Sequence, residues 1–271
     1  MPRARGVEGR LKWRAEPFSK RRQSDAALLV HVRKHFYRLR RRYGSPRLCR
    51  ELRAEGHVCS EKRVARLMRL AGLRAKGAHR FVVTTNSEHT QPVAPNRLGR
   101  RFAVGTRTDL NRRWAADITY IPTHQGWLYL AVILDVASRR VVGWATSVRL
   151  DQELVLAALK MARWRRGACG ALHHSDRGSQ YASAAYQRAL RDGGMVCSMS
   201  RTGDCWDNAV VESFFATLTK ELLDDGVFET REDARHELGT FIEAWYNRER
   251  RHSSLGFRSP VEYETQVCRA G

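Results

Sequence analysis

Three acidic residues stand at positions where a carboxylate is chemically informative. Asp117 interrupts the apolar segment RWAADITYIP, Asp176 follows two histidines and a serine in HHSDRGSQY, and Glu212 lies early in DNAVVESFF. Carboxylates that crowd together repel one another and are costly to desolvate, so a cluster of them needs protons or cations. Two Mg²⁺ ions on such oxygen ligands can clamp the attacking and leaving oxygens of a phosphodiester displacement. We expect the three acids to be catalytic and to bind both ions.

Each acid also has a simpler interpretation. A single acid at a strand end or in the first turn of a helix is usually a cap or a solvated charge. Asp117 differs because it breaks an apolar strand face. We assign two neighbouring acids to structure: Asp135 at the end of the second predicted strand, and Asp207 as the cap of the helix that carries Glu212.

The segments around these acids predict an α/β domain. Apolar residues alternate over RWAADITYIP, LYLAVILD is apolar almost throughout, and RRVVGWATS follows a tight turn. A helix begins after Asp151, and strand, helix, strand and helix follow, giving the order βββαβαβα. A mixed sheet in this order places its first and fourth strands side by side. We therefore expect Asp117 and Asp176 to meet at the sheet centre, with Glu212 above them.

The charge of the chain indicates a polyanionic partner. Lys and Arg number 49 against 28 Asp and Glu, a formal net charge of +21. Residues 1–80 carry 24 basic and 6 acidic residues, so most of the excess lies in the first third. Arginine usage set by genome composition is the alternative, but it would spread evenly along the chain. The first third is therefore predicted to bind nucleic acid.

Three amphipathic helices are predicted within this basic region. The third, in SEKRVARLMRLAGL, buries its apolar residues and leaves four basic side chains outside: Lys62, Arg63, Arg66 and Arg69. A basic face on a short helix is what a helix-turn-helix recognition element presents to the DNA major groove. A solvated face in a small helical bundle is the alternative, which the surrounding positive charge disfavours.

Histidines and cysteines give a weaker signal. His31 and His35 have the helical spacing of a shared metal, but the six cysteines form no C-x-x-C pair and the spacing from Cys49 to Cys59 suits zinc poorly. We interpret the thiols as reduced and both histidines as solvent-facing. No apolar run is long enough to cross a membrane, and the first twenty residues lack the apolar centre of a secretion signal. We expect a soluble, cytoplasmic protein.

The three acidic motifs resemble a known family when they are taken together. WAADITYI, HHSDRGSQY and DNAVVESFF are similar to the catalytic motifs of bacterial IS3-family transposases, specifically the second-frame (OrfB-type) protein with a retroviral-integrase-like DDE core. The 35 residues between Asp176 and Glu212 match the separation typical of that superfamily. The resemblance runs from about residue 28 to 265 and includes YGSPRLCREL and the C-terminal WYNRERRHSSLGFRSPVEYE.

The resemblance implies a ribonuclease-H-like fold with Asp117, Asp176 and Glu212 as the metal-binding triad, with Mn²⁺ able to replace Mg²⁺. It implies cleavage of double-stranded DNA at the element's inverted repeats, followed by attack of the freed 3′-hydroxyl on target DNA. A homo-oligomer on DNA is expected. A hydrolytic nuclease of the same fold and a non-catalytic DNA-binding regulator are the alternatives, and fusion to an upstream-frame protein by frameshifting stays open.

Three further residues are candidate DNA contacts. Arg177 follows Asp176, and Asn208, one turn before Glu212, could orient that carboxylate or touch DNA. The family commonly has a basic residue seven positions after the glutamate, where this chain has Thr219. The neighbouring Lys220 points about 100° further round the helix.

We predict five segments. A helical C-terminal extension begins with a capping box, Thr230 with Asp233, and its Trp245 and Tyr246 are expected to pack in the interior. The predicted bounds are 1–24 for a basic flexible tail, 25–76 for the helix-turn-helix domain, 77–110 for a linker, 111–225 for the catalytic core and 226–271 for the extension.

Overall fold

The computed structural model describes residues 19–77, 92–167, 170–201 and 205–270. The chain divides into two compact units, Met1–Gly77 and Ala78–Gly271, which are taken separately below. Most of the predicted basic tail, the first part of the predicted linker and Cys169 lie outside the described residues.

Unit 1 contains three helices: α1 (Lys20–Arg38), α2 (Ser45–Ala54) and α3 (Glu61–Leu70). Ser19 caps α1 and Ser60 caps α3, each through a side-chain oxygen that accepts a backbone N–H. Because α1 begins at Lys20, residues 20–24 are helical rather than part of a flexible tail. Helix α2 begins directly after Gly44, without a side-chain cap.

The interior of unit 1 follows the predicted apolar stripes, with one exception. Val32, Leu48, Leu52 and Val64 are completely buried. His35 is also completely buried and His31 is partly buried, so the interpretation of both as solvent-facing was wrong. The reason lies in the next helix, because Glu55 at the end of α2 accepts a hydrogen bond from His35 and satisfies its ring. Cys49 and Cys59 are buried free thiols, as predicted.

Unit 2 is built on a five-stranded mixed sheet. Its strands are β1 (Arg113–Ile121), β2 (Leu128–Asp135), β3 (Val141–Ser147), β4 (Leu172–Ser175) and β5 (Val196–Met199). The order across the sheet is β3-β2-β1-β4-β5; β1, β2 and β3 are antiparallel neighbours, while β4 is parallel to both β1 and β5. The predicted α/β class and the juxtaposition of the first and fourth strands are confirmed.

Helices cover the sheet and extend beyond it. They are α4 (Gln152–Arg166), the short α5 (Ser179–Ala182), α6 (Ala184–Asp192), α7 (Ala209–Glu221), α8 (Arg231–Thr240) and α9 (Pro260–Arg269). Helix α8 continues as a π-helical segment, Phe241–Glu249. Short α5 is an addition to the predicted order of elements, as are several single-turn 3-10 helices, among them Arg107–Asp109 and Cys205–Asn208.

The two faces of β1 pack against different helices. Trp114 and Ala116 belong to the core that α4 and α6 form with the sheet. Successive side chains of a strand point to opposite faces, so Asp117 lies on the other face. Helix α7 contacts β1 and β2 and carries Glu212. The chain order therefore delivers both acids to the same side of the sheet.

Segments predicted to be peripheral are attached to the sheet. Leu98 is completely buried, and the backbone N–H groups of Arg97 and Leu98 donate to Ser198 Oγ of β5. The second half of the predicted linker thus packs against the sheet of unit 2. At the other end of the chain, Glu264 of α9 accepts from Ser138 Oγ at 2.7 Å and from the guanidinium groups of Arg140 and Arg166, both at 2.6 Å.

Close contact between α4 and β3 depends on Gly143. A Cβ atom at this position would lie 2.3 Å from the Ala158 carbonyl oxygen and 2.7 Å from Ala162 Cβ. We therefore expect Gly143→Ala to lower the free energy of unfolding by about 1–3 kcal/mol, the usual cost of overpacking. Denaturant unfolding checks this. Gly77→Ala, where nothing lies within 4 Å of the new Cβ, is the control, and equal stabilities for the two variants would contradict the prediction.

Candidate active site

Asp117 and Asp176 are brought together by the parallel pairing of β1 with β4. Ala115 is the register partner of His174, and continuing this register by two residues places Asp117 level with Asp176, just beyond the end of β4. Both side chains are partly buried. The two aspartates therefore meet at the centre of the sheet, as the strand order predicted.

Glu212 completes the cluster from the first turn of α7. The pKa of Asp117 is raised well above its ordinary value of 3.8, first by burial and then by the negative charges of Asp176 and Glu212. Burial also raises the pKa of Glu212. Asp117 therefore lies close enough to Asp176 and Glu212 for both charges to act on it.

Asn208 lies directly beside the cluster. Its side chain is buried, its Nδ2 donates to the Ala116 carbonyl oxygen at 3.2 Å, and its hydrogen bond to Asp117 partly offsets the rise in that residue's pKa. The Ile118 backbone N–H also donates to Asp117 Oδ1, at 2.8 Å. Asn208 therefore faces Asp117 and the β1 backbone, whereas the sequence suggested Glu212 or DNA as its partner.

Tyr181 is a neighbour of the cluster that sequence reasoning missed. Its hydroxyl is buried and has no hydrogen-bond partner among the described residues. Burial, Tyr186, and then the charges of Asp117 and Asp176 raise its pKa well above 10.0. It follows Asp176 by five positions, but only the short helix α5 turns it back toward the acids.

The comparisons with known proteins identify the family of the chain. Models described as "Integrase core domain" match residues 107–205 and 193–260, and one described as "HTH-like domain" matches residues 23–81. The chain is 44% identical over 232 residues to the Escherichia coli (strain K12) transposase InsF for insertion sequence IS3A, covering 85% of this chain and 80% of that protein. The chain belongs to the IS3 family of transposases.

A second relative covers a larger share of this chain. An uncharacterized 31 kDa protein of insertion element IS600 from Shigella sonnei is 43% identical over 256 residues, covering 94% of this chain and 93% of that protein. Among solved structures, the catalytic core domain of BIV integrase is similar at a TM-score of 0.43 and 17% identity, covering 59% of this chain and 97% of that chain. The predicted family is confirmed, and the protein is a DDE transposase with an integrase-type catalytic core.

The two histidines before Asp176 connect β4 of the transposase to neighbouring segments, His173 to α6 and His174 to β5 and the residues after it. His174 Nδ1 lies 2.9 Å from Ser198 Oγ and its Nε2 3.2 Å from Ser200 Oγ, while His173 Nε2 lies 2.9 Å from the Tyr186 hydroxyl. Burial lowers the pKa of His173 to about 3 and that of His174 to about 4. Both rings are therefore neutral at pH 7 and fix the position of β4.

Arg177 and Lys220 are less exposed than expected for side chains that only contact a DNA phosphate. Arg177 Nε donates to the Ser200 carbonyl oxygen at 2.7 Å, and its side chain is partly buried. Lys220 and Thr219 are both partly buried in the last turn of α7. Their contacts with DNA remain predictions.

Asp207 is not the cap of α7, contrary to the sequence prediction. Asn208 precedes the helix, and the Asp207 carboxylate is buried among donors from two segments. Arg201 and Arg100 donate to it at 3.0 Å, and Asn96 Nδ2 donates at 2.7 Å. These partners, Arg201 first, hold the pKa of Asp207 well below its ordinary value of 3.8. Asp207 therefore has a structural role, as predicted, but through these ion pairs rather than as a helix cap. It connects the residues before α7 to the segment around Arg100.

The predicted DNA-binding face of α3 consists of two kinds of residue. Arg63 Nε donates to Asp25 Oδ1 at 2.7 Å and Arg66 Nη2 donates to Asp25 Oδ2 at 2.5 Å, so both pair with α1. Lys62 and Arg69 are exposed. The sequence alone could not distinguish the paired Arg63 and Arg66 from the exposed Lys62 and Arg69, because Asp25 lies on another helix.

We expect Asp207→Asn to lower the free energy of unfolding by about 1–3 kcal/mol at pH 7, because charge-assisted hydrogen bonds to the two arginines are lost. A depressed pKa stabilises the fold above the ordinary value of 3.8, and this contribution disappears as pH falls toward the folded-state value. The difference from wild type should therefore shrink below about pH 4.

Chemical unfolding measured from pH 3 to pH 8 tests this, with the exposed Asp192→Asn as the matched control. A difference that stays constant down to pH 3 would show that Asp207 does not act through its charge.

Proposed function

We propose that Asp117, Asp176 and Glu212 are the catalytic triad of this transposase and bind two Mg²⁺ ions, which Mn²⁺ can replace. The observation that supports this is the parallel register of β1 with β4, which brings Asp117 level with Asp176 on the side of the sheet that α7 covers. Burial and the charges of the other two acids raise the pKa of Asp117, so a bound cation would stabilise its charged form. Three carboxylates supply the hard oxygen donors that Mg²⁺ requires. When bound, the ions supply charge neutralisation at the attacking and leaving oxygens of a phosphodiester.

The chain's own residues hold these carboxylates in place. The Ile118 N–H and Asn208 fix Asp117, and the Gly178 N–H donates to Asp176 Oδ1 at 3.0 Å. Tyr181 is buried in the neighbouring core, close enough for the charges of both aspartates to raise its pKa. Such fixed surroundings reduce the reorganisation needed when the reacting phosphate arrives.

The substrate that we propose is double-stranded DNA at the inverted repeats of an insertion element. Cleavage there frees a 3′-hydroxyl, which then attacks a phosphodiester of target DNA. The relatives named as transposases of insertion sequences support this assignment. We further propose that the protein assembles as a homo-oligomer on DNA, in the cytoplasm beside the nucleoid, and that an upstream-frame fusion is one of its forms. Among the described residues, no helix has the length and apolarity to cross a bilayer.

We expect Asp117→Asn, Asp176→Asn and Glu212→Gln each to abolish both cleavage and joining while DNA binding is retained, because each removes a negatively charged metal ligand. Labelled element ends with Mg²⁺ give both products in one assay, and Asp192→Asn is the control. If the wild type cuts but never joins, the protein is a hydrolytic nuclease; near wild-type cleavage by any triad variant would remove that residue from the site.

Asp117→Asn should also raise the melting temperature at pH 7 in the absence of divalent cations. An acid whose pKa is raised on folding destabilises the protein when ionised, so wild-type stability falls as pH rises from 3.8 through the raised value. Replacement by asparagine removes that dependence. Thermal melts over this pH range in a chelating buffer measure it, and identical pH profiles for the two proteins would contradict the assigned environment.

We propose that Lys62 and Arg69 of α3 contact DNA phosphates, while Arg63 and Arg66 act mainly within the domain. Lys62→Ala and Arg69→Ala should each reduce the slope of log affinity against log salt by about 0.9, the value for one phosphate contact. Binding to element ends at several salt concentrations measures the slope. Arg235→Ala, an exposed arginine of α8, is the control, and an unchanged slope in both α3 variants would exclude this face.

A further inference from the structure

A cluster of two histidines and one glutamate lies in unit 1, outside the site described above. His31 projects from α1, while Glu55 and His57 follow the end of α2. One ligand atom from each of the three residues lies within 4.8 Å of the others. The His31 and His57 rings are in contact, with centroids 4.1 Å apart and planes tilted by 48°.

The backbone that presents Glu55 and His57 is fixed by the end of α2. The Gly56 N–H donates to the Arg53 carbonyl oxygen at 3.0 Å, and the His57 N–H donates to the Leu52 carbonyl oxygen at 2.9 Å. These two bonds form a Schellman motif, which requires a left-handed residue between the two side chains. Gly56 supplies it with φ of 89°. The two ligands therefore belong to a rigid turn.

His35 orients the glutamate. Arg38 can only donate, and its Nη2 lies 3.1 Å from His35 Nδ1, so that nitrogen accepts and Nε2 carries the proton. Nε2 then donates to Glu55 Oε2 at 2.8 Å. One carboxylate oxygen is thus occupied, and the other is left for a ligand. Metal-binding carboxylates are commonly oriented by such a second hydrogen bond.

His31 supplies an observation that packing alone does not explain. Its Nδ1 is buried and finds no hydrogen-bond partner in the part of the chain that the structure describes. A buried polar nitrogen without a partner costs free energy, which a bound ligand would recover.

We propose that His31, Glu55 and His57 bind a zinc ion, with water in the fourth position. Two imidazoles and one carboxylate are donors that Zn²⁺ accepts in a tetrahedral site, whereas Mg²⁺ prefers oxygen ligands alone. The ion connects α1 to the turn that leads to Ser60, the cap of α3. Zinc binding therefore stabilises the helical unit that carries Lys62 and Arg69, and this site is chemically distinct from the carboxylate triad.

The test is a titration of the full-length protein with Co²⁺, whose visible absorption is strong in a tetrahedral N/O site. The titration is repeated in Asp117→Asn/Asp176→Asn to remove the contribution of the triad. We expect saturable absorption in both proteins, displaced by Zn²⁺. Zn²⁺ should also raise the melting temperature, because a ligand that binds only the folded state stabilises it.

His57→Gln and Glu55→Gln should each weaken Co²⁺ binding by roughly 10- to 100-fold or more. Both substitutions lie at the surface turn, and Glu55→Gln keeps an acceptor for His35, so it decides the question if His57→Gln fails to fold. His236→Gln, an exposed histidine of α8, is the matched control. Absence of the absorption band in wild type, or equal affinities in Glu55→Gln and His236→Gln, would overturn the proposal.

Discussion

Repulsion among the carboxylates that meet at the centre of the sheet is the constraint on which unit 2 depends. Asp117 and Asp176 are held level by the parallel pairing of β1 with β4, and α7 adds Glu212 to the same electrostatic environment. Nothing about this cluster favours folding, so the surrounding structure must hold it in place. The buried strands on either side of β1 and the hydrogen bonds from the Ile118 N–H and Asn208 oppose its separation.

The same fold places another acid in the opposite environment. Asp207 lies only five residues before Glu212, yet Arg100 and Arg201 surround its carboxylate and lower its pKa, while burial raises the pKa of Glu212. Opposite shifts in neighbouring acids separate a structural carboxylate from a candidate functional one. Arg100 precedes the first acidic motif in sequence, whereas Arg201 lies between the second and the third. Asp207 with its arginine partners stabilises the fold, and Glu212 of the acid cluster, which destabilises it, lies only five residues further along the chain.

Local sequence patterns predicted most of the sheet but few of the long-range contacts. The strands β1 and β2 and the capping box of Thr230 with Asp233 were predicted from nearby residues, and each is present in the structure. Burial along β1 does not follow the predicted alternation, because Trp114, Ala115 and Ala116 are all buried. The partners of Asp207 and His35 were missed because they lie on other elements. Tyr181 was missed because it lies on the short helix α5, which the sequence pattern did not predict. Spacing along the chain carries no signal for such contacts.

The net charge of unit 1 is a poor guide to the positive charge that α3 leaves unpaired, because some of its arginines form ion pairs within the unit. Asp25 accepts from both Arg63 and Arg66, and these bonds lower the pKa of Asp25 and keep it ionised. Two of the four predicted basic residues therefore connect α3 to α1, and their charge is partly neutralised within the domain. Pairing of this kind fixes the direction in which Lys62 and Arg69 point. A recognition helix needs both functions, because a phosphate contact is useful only when the helix that carries it is held in one orientation.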